Sequence, residues 1–244
     1  MGLLDKIFRR RPAGPDCSAV IAAAGSSRRM EGENKLLLPV GGIPVLAKTL
    51  LAFENAPSVG EIVVAVREED LLTVGDLCKS LGLTKPVKLI KGGEDRLSSV
   101  LLAALECDPD SPLLAVHDGA RPLVSVELIE RVIAKARQCA AAAAAIPVKD
   151  TIKVAGADGV VQSTPDRETL RAVQTPQAFD SQLLRAALQS AKDANVSLTD
   201  DCAAVERLGK AVALVEGEET NLKITTPLDL LVAEAILEER GELG

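Results

Sequence analysis

Short runs of β-branched and small apolar residues alternate with segments of helical period along nearly the whole chain. This alternation restricts the fold more than any other feature. Residues 18–23, 61–66, 87–90, 113–117, 141–148 and 211–215 read as strands, and 45–54, 68–81, 97–106 and 126–138 as helices. Strands spaced by helices form a mostly parallel sheet with helices on its faces, because a parallel partner needs a crossover long enough to hold a helix. With 244 residues, 47% of them hydrophobic, the chain can bury such a sheet in a single α/β domain, expected over 16–240. The alanine run 140–145 has helical propensity. It follows a full-length helix, however, and leads into Ile146, Pro147 and Val148, so it is read as a buried strand.

Composition removes several classes of function. A net charge of −7 supplies no general basic face for nucleic acid, and with aromatics at 1% and no Trp or Tyr there is no platform for stacking bases. Any phosphate binding must rest on a local basic cluster. Cys17, Cys78, Cys107, Cys139 and Cys202 are scattered, with no Cys-x-x-Cys pair and a single histidine, which argues against zinc and for reduced thiols in a cytoplasmic protein. No apolar run approaches the ~18 residues of a membrane span. Residues 1–15 carry Lys6, Arg9, Arg10 and Arg11 around too short an apolar stretch for a signal peptide, and are expected to form a flexible tail.

One segment departs from the alternation. Residues 151–154 and 160–163 flank Ala-Gly-Ala-Asp-Gly, which predicts a β-hairpin within an arm over about 148–168. A two-stranded ribbon is marginal alone in water. The arm therefore packs on its own domain or on another subunit.

Where the first strand ends, Ala-Ala-Ala-Gly-Ser-Ser-Arg-Arg-Met runs over 22–30, with Lys35 close behind. The small side chains of Ala22, Ala23, Ala24, Gly25 and Ser26 let backbone N–H groups approach phosphate oxygens, and Arg28, Arg29 and Lys35 add positive charge. The glycines fit neither the Walker pattern nor the dinucleotide fingerprint, so this is a triphosphate loop of another kind, or else a polar strand–helix turn. Gly92-Gly-Glu-Asp-Arg-Leu-Ser-Ser-Val follows a strand and opens a helix; Arg96, Ser98 and Ser99 are placed to meet a base or ribose, or simply to start a capped helix. His117-Asp-Gly-Ala-Arg-Pro ends a strand, where ligands of open α/β sheets bind, so Asp118 is a candidate Mg²⁺ contact, directly or through water, and Arg121 a candidate phosphate contact. The same segment also reads as a turn with an Asp–Arg pair, and His117 reads as a structural residue. Residues 174–179 read as a polar, proline-fixed loop, and Leu198-Thr-Asp-Asp as a helix start. Lys223 lies near the start of the final helix.

Taken in order, these segments resemble the 2-C-methyl-D-erythritol 4-phosphate cytidylyltransferase family of the non-mevalonate isoprenoid pathway. The resemblance is carried by the 22–30 loop with Lys35, Gly-Gly-Glu-Asp-Arg-x-Ser-Ser-Val, His-Asp-Gly-Ala-Arg-Pro, Pro-Val-Lys-Asp-Thr, Thr-Pro-Gln-x-Phe, Thr-Asp-Asp and Asn-x-Lys-Ile-Thr-x-Pro. It implies a Rossmann-like nucleotidyltransferase sheet, flanked by helices, whose β-hairpin arm protrudes into a homodimer. It also implies that Arg29 and Lys35 bind the CTP triphosphate, that Arg96, Ser99, the neighbouring Gly92 and the 22–25 backbone hold the cytidine, and that Asp118, beside Ala120, lies near Mg²⁺ and the ribose. Thr151 and Arg167 from the partner's arm would meet the sugar phosphate together with Thr175, Thr199 and the catalytic Lys223.

The same motifs are similar to those of pentitol-phosphate enzymes such as a ribitol-5-phosphate cytidylyltransferase, which would differ in the acceptor pocket. A guanylyltransferase of molybdenum cofactor synthesis shares only the opening loop. A non-catalytic nucleotide-binding module on the same scaffold would be expected to lack the loop Arg or Lys, and both are present here.

Overall fold

The computed structural model describes residues 14–25 and 34–243. The expected tail, apart from its last two residues, and the loop carrying Ser26, Arg28 and Arg29 lie outside the described residues. In chain order the elements are β1 (Cys17–Ala23), β2 (Pro39–Val40), β3 (Ile43–Pro44), α1 (Val45–Glu54), β4 (Val59–Val66), α2 (Leu71–Ser80), β5 (Val87–Lys91), α3 (Arg96–Glu106), β6 (Leu113–Asp118) and α4 (Val126–Cys139). Then come β7 (Ala141–Pro147), β8 (Val154–Ala155), β9 (Val161–Ser163), β10 (Arg171–Asp180), α5 (Ser181–Asp193), α6 (Asp201–Arg207), β11 (Ala213–Glu216) and α7 (Pro227–Glu239).

The main sheet runs β11-β7-β10-β6-β1-β4-β5. Every pairing in it is parallel except those of β10, which is antiparallel to both neighbours. One apolar layer packs helices α1 and α4 with part of α7 on one face; the other packs α3, α5 and α6 on the opposite face. The expected α/β class with a mostly parallel sheet is therefore the observed one.

Local chemistry sets the boundaries. The Ser125 hydroxyl accepts from the Leu128 N–H at 3.0 Å and opens α4. That helix buries Leu128, Ile129, Val132 and Ile133 as one stripe, each worth roughly 1.5–3 kcal/mol of burial. It stops where Ala140 turns left-handed at φ 67°. Ala141–Ala145 then form a fully buried strand, in which tertiary packing overrides the propensity of alanine. Gly82, at φ 62°, follows α2 as a left-handed terminator. Asp229 accepts from the Thr225 and Thr226 N–H groups at 2.8 and 2.7 Å and fixes the start of α7.

Residues 174–179, read from the sequence as a loop, belong instead to strand β10. Two glutamines and a proline conceal it, because Gln174 is satisfied by Glu218 and Asn221, and Gln177 by Asp200 and the first N–H groups of α6, rather than by water. Pairing with β7 breaks between Val173 and Gln177, a bulge that includes the cis Thr175–Pro176 bond. The strand expected at 211–215 runs from Ala213 to Glu216. The arm is the expected hairpin, with its ladder confined to β8 and β9.

Candidate active site

The carboxyl ends of β1 and β6 and the loop that follows β5 meet the start of α3 around a cavity of about 430 Å³, within the usual size range of small-molecule sites. Backbone packing shapes its rim. A Cβ added to Gly92 would lie 2.4 Å from the Ala24 Cβ and 2.9 Å from Ser99 Oγ, so only glycine lets the two loops approach this closely. Ser99 Oγ accepts from the Gly93 N–H at 3.0 Å and donates to the Asp95 carbonyl at 2.7 Å, bracing the turn from inside. Asp95 caps α3 through the Ser98 N–H.

Asp118, at the end of β6, is buried among cations. Lys223 Nζ lies 2.9 Å from it, Arg121 Nε 3.5 Å and Arg96 Nε 3.7 Å. Burial pushes its carboxyl up, but Lys223 and Arg96, then Arg121, outweigh burial and hold Asp118 well below the usual carboxylate range. Arg96 in turn donates a two-pronged fork to Asp201, at 2.8 and 2.7 Å. Burial pulls its guanidinium down, and Asp201 more than restores it. Lys35 reaches the cavity with its ammonium on the Ile224 carbonyl at 2.8 Å. His117 is wholly buried, its ring tilted against Phe53, and burial pushes its pKa down to about 3, so it is a neutral structural residue.

Of the residues singled out from the sequence, the cavity wall brings together Ala22, Ala23, Ala24, Gly25, Lys35, Arg96, Ser99, Asp118, Ala120 and Lys223. Gly92 stands just behind it. Arg121 is half-buried, with its Nη1 on the Asn221 backbone carbonyl at 2.7 Å, tying two loops together. Thr175 is buried beneath the site, its hydroxyl accepting from the Asp118 N–H at 3.0 Å. Thr199 is exposed ahead of α6, and Thr151 and Arg167 are exposed on the arm, away from the wall of their own cavity. The Arg167 guanidinium meets the Lys149 carbonyl at 2.9 Å.

Asp201, Gln174, Gln177 and Asn221 take structural parts that sequence reasoning did not assign. In the sequence Asp201 reads as a capping residue, but the cap is Asp200, which accepts from the Ala203 N–H at 3.0 Å and leaves Asp201 for Arg96. The adjacent pair of aspartates is the available signal: one helix start needs only one cap.

The donor chemistry suits a magnesium ion that arrives with phosphates. Mg²⁺ binds through one or two carboxylates, substrate oxygens and water rather than an all-protein cage. Asp118 offers one ionised carboxylate, and no cluster of three potential ligands occurs among the described residues.

The family model for 2-C-methyl-D-erythritol 4-phosphate cytidylyltransferase matches residues 17–239. The chain is 44% identical over 222 residues to the enzyme of that name from Synechococcus elongatus, covering 91% of this chain and 96% of the relative. It is 45% identical to the one from Caldanaerobacter subterraneus, covering 90% and 98%. Among solved structures, it superposes on the 4-diphosphocytidyl-2C-methyl-D-erythritol synthase from Anaerococcus prevotii with a TM-score of 0.84 at 33% identity, covering 92% and 97% of the two chains.

Proposed function

The chain belongs to the 2-C-methyl-D-erythritol 4-phosphate cytidylyltransferase family, and from that premise we propose how its site transfers a cytidylyl group. It is a nucleotidyltransferase that joins CTP and 2-C-methyl-D-erythritol 4-phosphate into 4-diphosphocytidyl-2-C-methyl-D-erythritol and pyrophosphate. The acceptor phosphate attacks the α-phosphorus in line. It is already an anion, so no general base is required. The difficulty is bringing two anions together and holding the charge that builds at phosphorus.

The observation that carries this reading is the convergence of Lys35, Lys223 and Arg96 on one cavity around the ionised Asp118. The lysines neutralise the triphosphate and the attacking phosphate, with Arg29 of the neighbouring loop completing the charge. Ser99 and Gly92 shape the turn that receives the cytidine, beside Arg96 and the 22–25 backbone. Mg²⁺ bound by the triphosphate and Asp118 would supply further charge neutralisation at the reacting phosphate.

The arm supports a homodimer. It exposes Val154, Val160 and Val161 on a ribbon of very few ladder residues, a poor arrangement for water but a suitable one for a partner. In such a dimer the partner's Thr151 and Arg167 would reach the acceptor phosphate, with Thr175 and Thr199 nearby. No helix among the described residues is long and apolar enough to cross a membrane.

The test is pyrophosphate release from CTP and Mg²⁺, with methylerythritol phosphate and ribitol 5-phosphate offered separately. Release with the first alone is expected. Release with ribitol 5-phosphate alone would overturn the acceptor assignment while leaving the mechanism standing.

A further inference from the structure

Asn221 is fully buried two residues before Lys223. Its amide donates to the Thr175 carbonyl at 2.8 Å and to Gln174 Oε1 at 3.3 Å. The direction of these bonds is set by backbone groups. Gln174 donates from Nε2 to the Glu218 carbonyl at 2.8 Å and accepts at Oε1 from the Glu218 N–H at 3.3 Å, so Asn221 faces two acceptors and must donate. The Asn221 backbone carbonyl takes the Arg121 guanidinium, and the Ile224 N–H meets the Ala120 carbonyl at 2.8 Å. The bulge in β10 makes this possible, because it frees Gln174 and Thr175 from the ladder with β7.

The geometry points to Asn221 as a positioning residue for Lys223: with Gln174 it latches the connection between β11 and α7 onto the bulge of β10. The role rests on the proposed part of Lys223 in the transfer. A lysine is a point charge on a flexible four-carbon stem, so its reach is fixed only as well as the backbone from which it springs. Thr175 closes the loop of contacts, because the residue whose carbonyl receives Asn221 also holds the N–H of Asp118, the partner of Lys223. Lys223 and its counter-ion are thus referenced to one residue of β10, Thr175. A displacement of about 1 Å at a reacting group lowers rates on the order of a hundredfold.

Asn221→Ala and Gln174→Ala are to be compared in the wild-type and Lys223→Ala backgrounds. The readouts are kcat and KM for CTP per folded molecule, with the folded fraction taken from circular dichroism melts. Either latch variant is expected to lower kcat by about 10- to 100-fold in the wild-type background. KM should change by no more than about threefold, and in the Lys223→Ala background the further loss in kcat should also stay within about threefold. An equal loss in both backgrounds would overturn the proposal, as would an unchanged kcat. So would failure of both variants to fold, which would make the latch purely structural. Near-normal turnover of Lys223→Ala alone would instead refute the reading of Lys223, and the proposal with it.

Discussion

Lys223 Nζ stands 2.9 Å from the Asp118 carboxylate, joining the end of the central strand β6 to the connection that precedes α7. Arg96 bridges from this pair to Asp201, so Lys223, Arg121 and Arg96 are set against Asp118 and Asp201. One positive charge remains over. The two aspartates keep these three cations from repelling one another, so that they stand together beside the cavity where a triphosphate would arrive.

Lys35→Ala and Lys223→Ala should each lower kcat/KM on the order of a hundredfold, the usual loss when one charge is removed from a developing anion, about 3 kcal/mol. The Lys35 ammonium is not part of the apolar core, so its loss should change the melting temperature little, whereas Lys223→Ala should lower it because the buried Asp118 loses a cation. Steady-state kinetics alongside thermal melts checks both halves. Near-normal turnover in a folded variant would remove that lysine from the mechanism.

His117 predicts how stability depends on pH. Burial lowers its pKa in the folded chain to about 3, against about 6.5 when unfolded, so on acidification the unfolded state takes up the proton first. The sign follows: the contribution is fully present above pH 6.5 and is lost progressively toward pH 3, on the order of 5 kcal/mol across the whole window. Asp118 adds a loss of the same sign, but only below about pH 5, where the unfolded carboxyl begins to protonate while the folded one stays charged. Thermal melts from pH 7 to pH 4 should show His117→Gln losing less stability than the wild type. Parallel curves would exclude His117 as the group responsible.

Gly92→Ala should reduce both stability and nucleotide binding. The new methyl would lie 2.4 Å from the Ala24 Cβ and force the first loop away from α3, at a cost of about 1–3 kcal/mol typical of overpacking. The neighbouring Gly93 is crowded by Ser98 in the same way, whereas Gly42 has open space around an added Cβ. Gly42 nevertheless sits at φ 80°, so Gly42→Ala would report backbone strain alone. CTP affinity by calorimetry should fall for Gly92→Ala and hold for Gly42→Ala.

Much of this architecture is visible in one dimension because periodicity and capping are local. The helix at Val45–Glu54 is set by its apolar spacing, the start of α4 by Ser125, and the end of β6 by the change from apolar residues to Asp118. What stayed hidden depends on partners distant in sequence. Gln174 and Gln177 look like loop residues until Glu218, Asn221 and the start of α6 are seen to satisfy them. Asp201 resembles a cap until Arg96, far earlier in the chain, is brought against it. Buried polar residues are legible only after the fold has supplied their partners.

The arm provides the last prediction. Val160 and Val161 are exposed at 61% and 52%, on a hairpin whose ladder is too short to be stable on apolar packing of its own. If a second copy covers them, Val160→Asp and Val161→Asp place charge in an apolar interface and should shift the protein toward monomer in sedimentation velocity. The same variants should lose turnover, because Thr151 and Arg167 would no longer reach the neighbouring acceptor site. Mixing a Lys35→Ala chain with an Arg167→Ala chain separates the two effects. A mixed dimer holds one cavity with an intact Lys35 that faces an arm with an intact Arg167, so activity should recover toward a quarter of the wild type as subunits exchange at equal concentration. An active, monodisperse monomer in the valine variants, or no recovery on mixing, would show instead that each chain completes its own site.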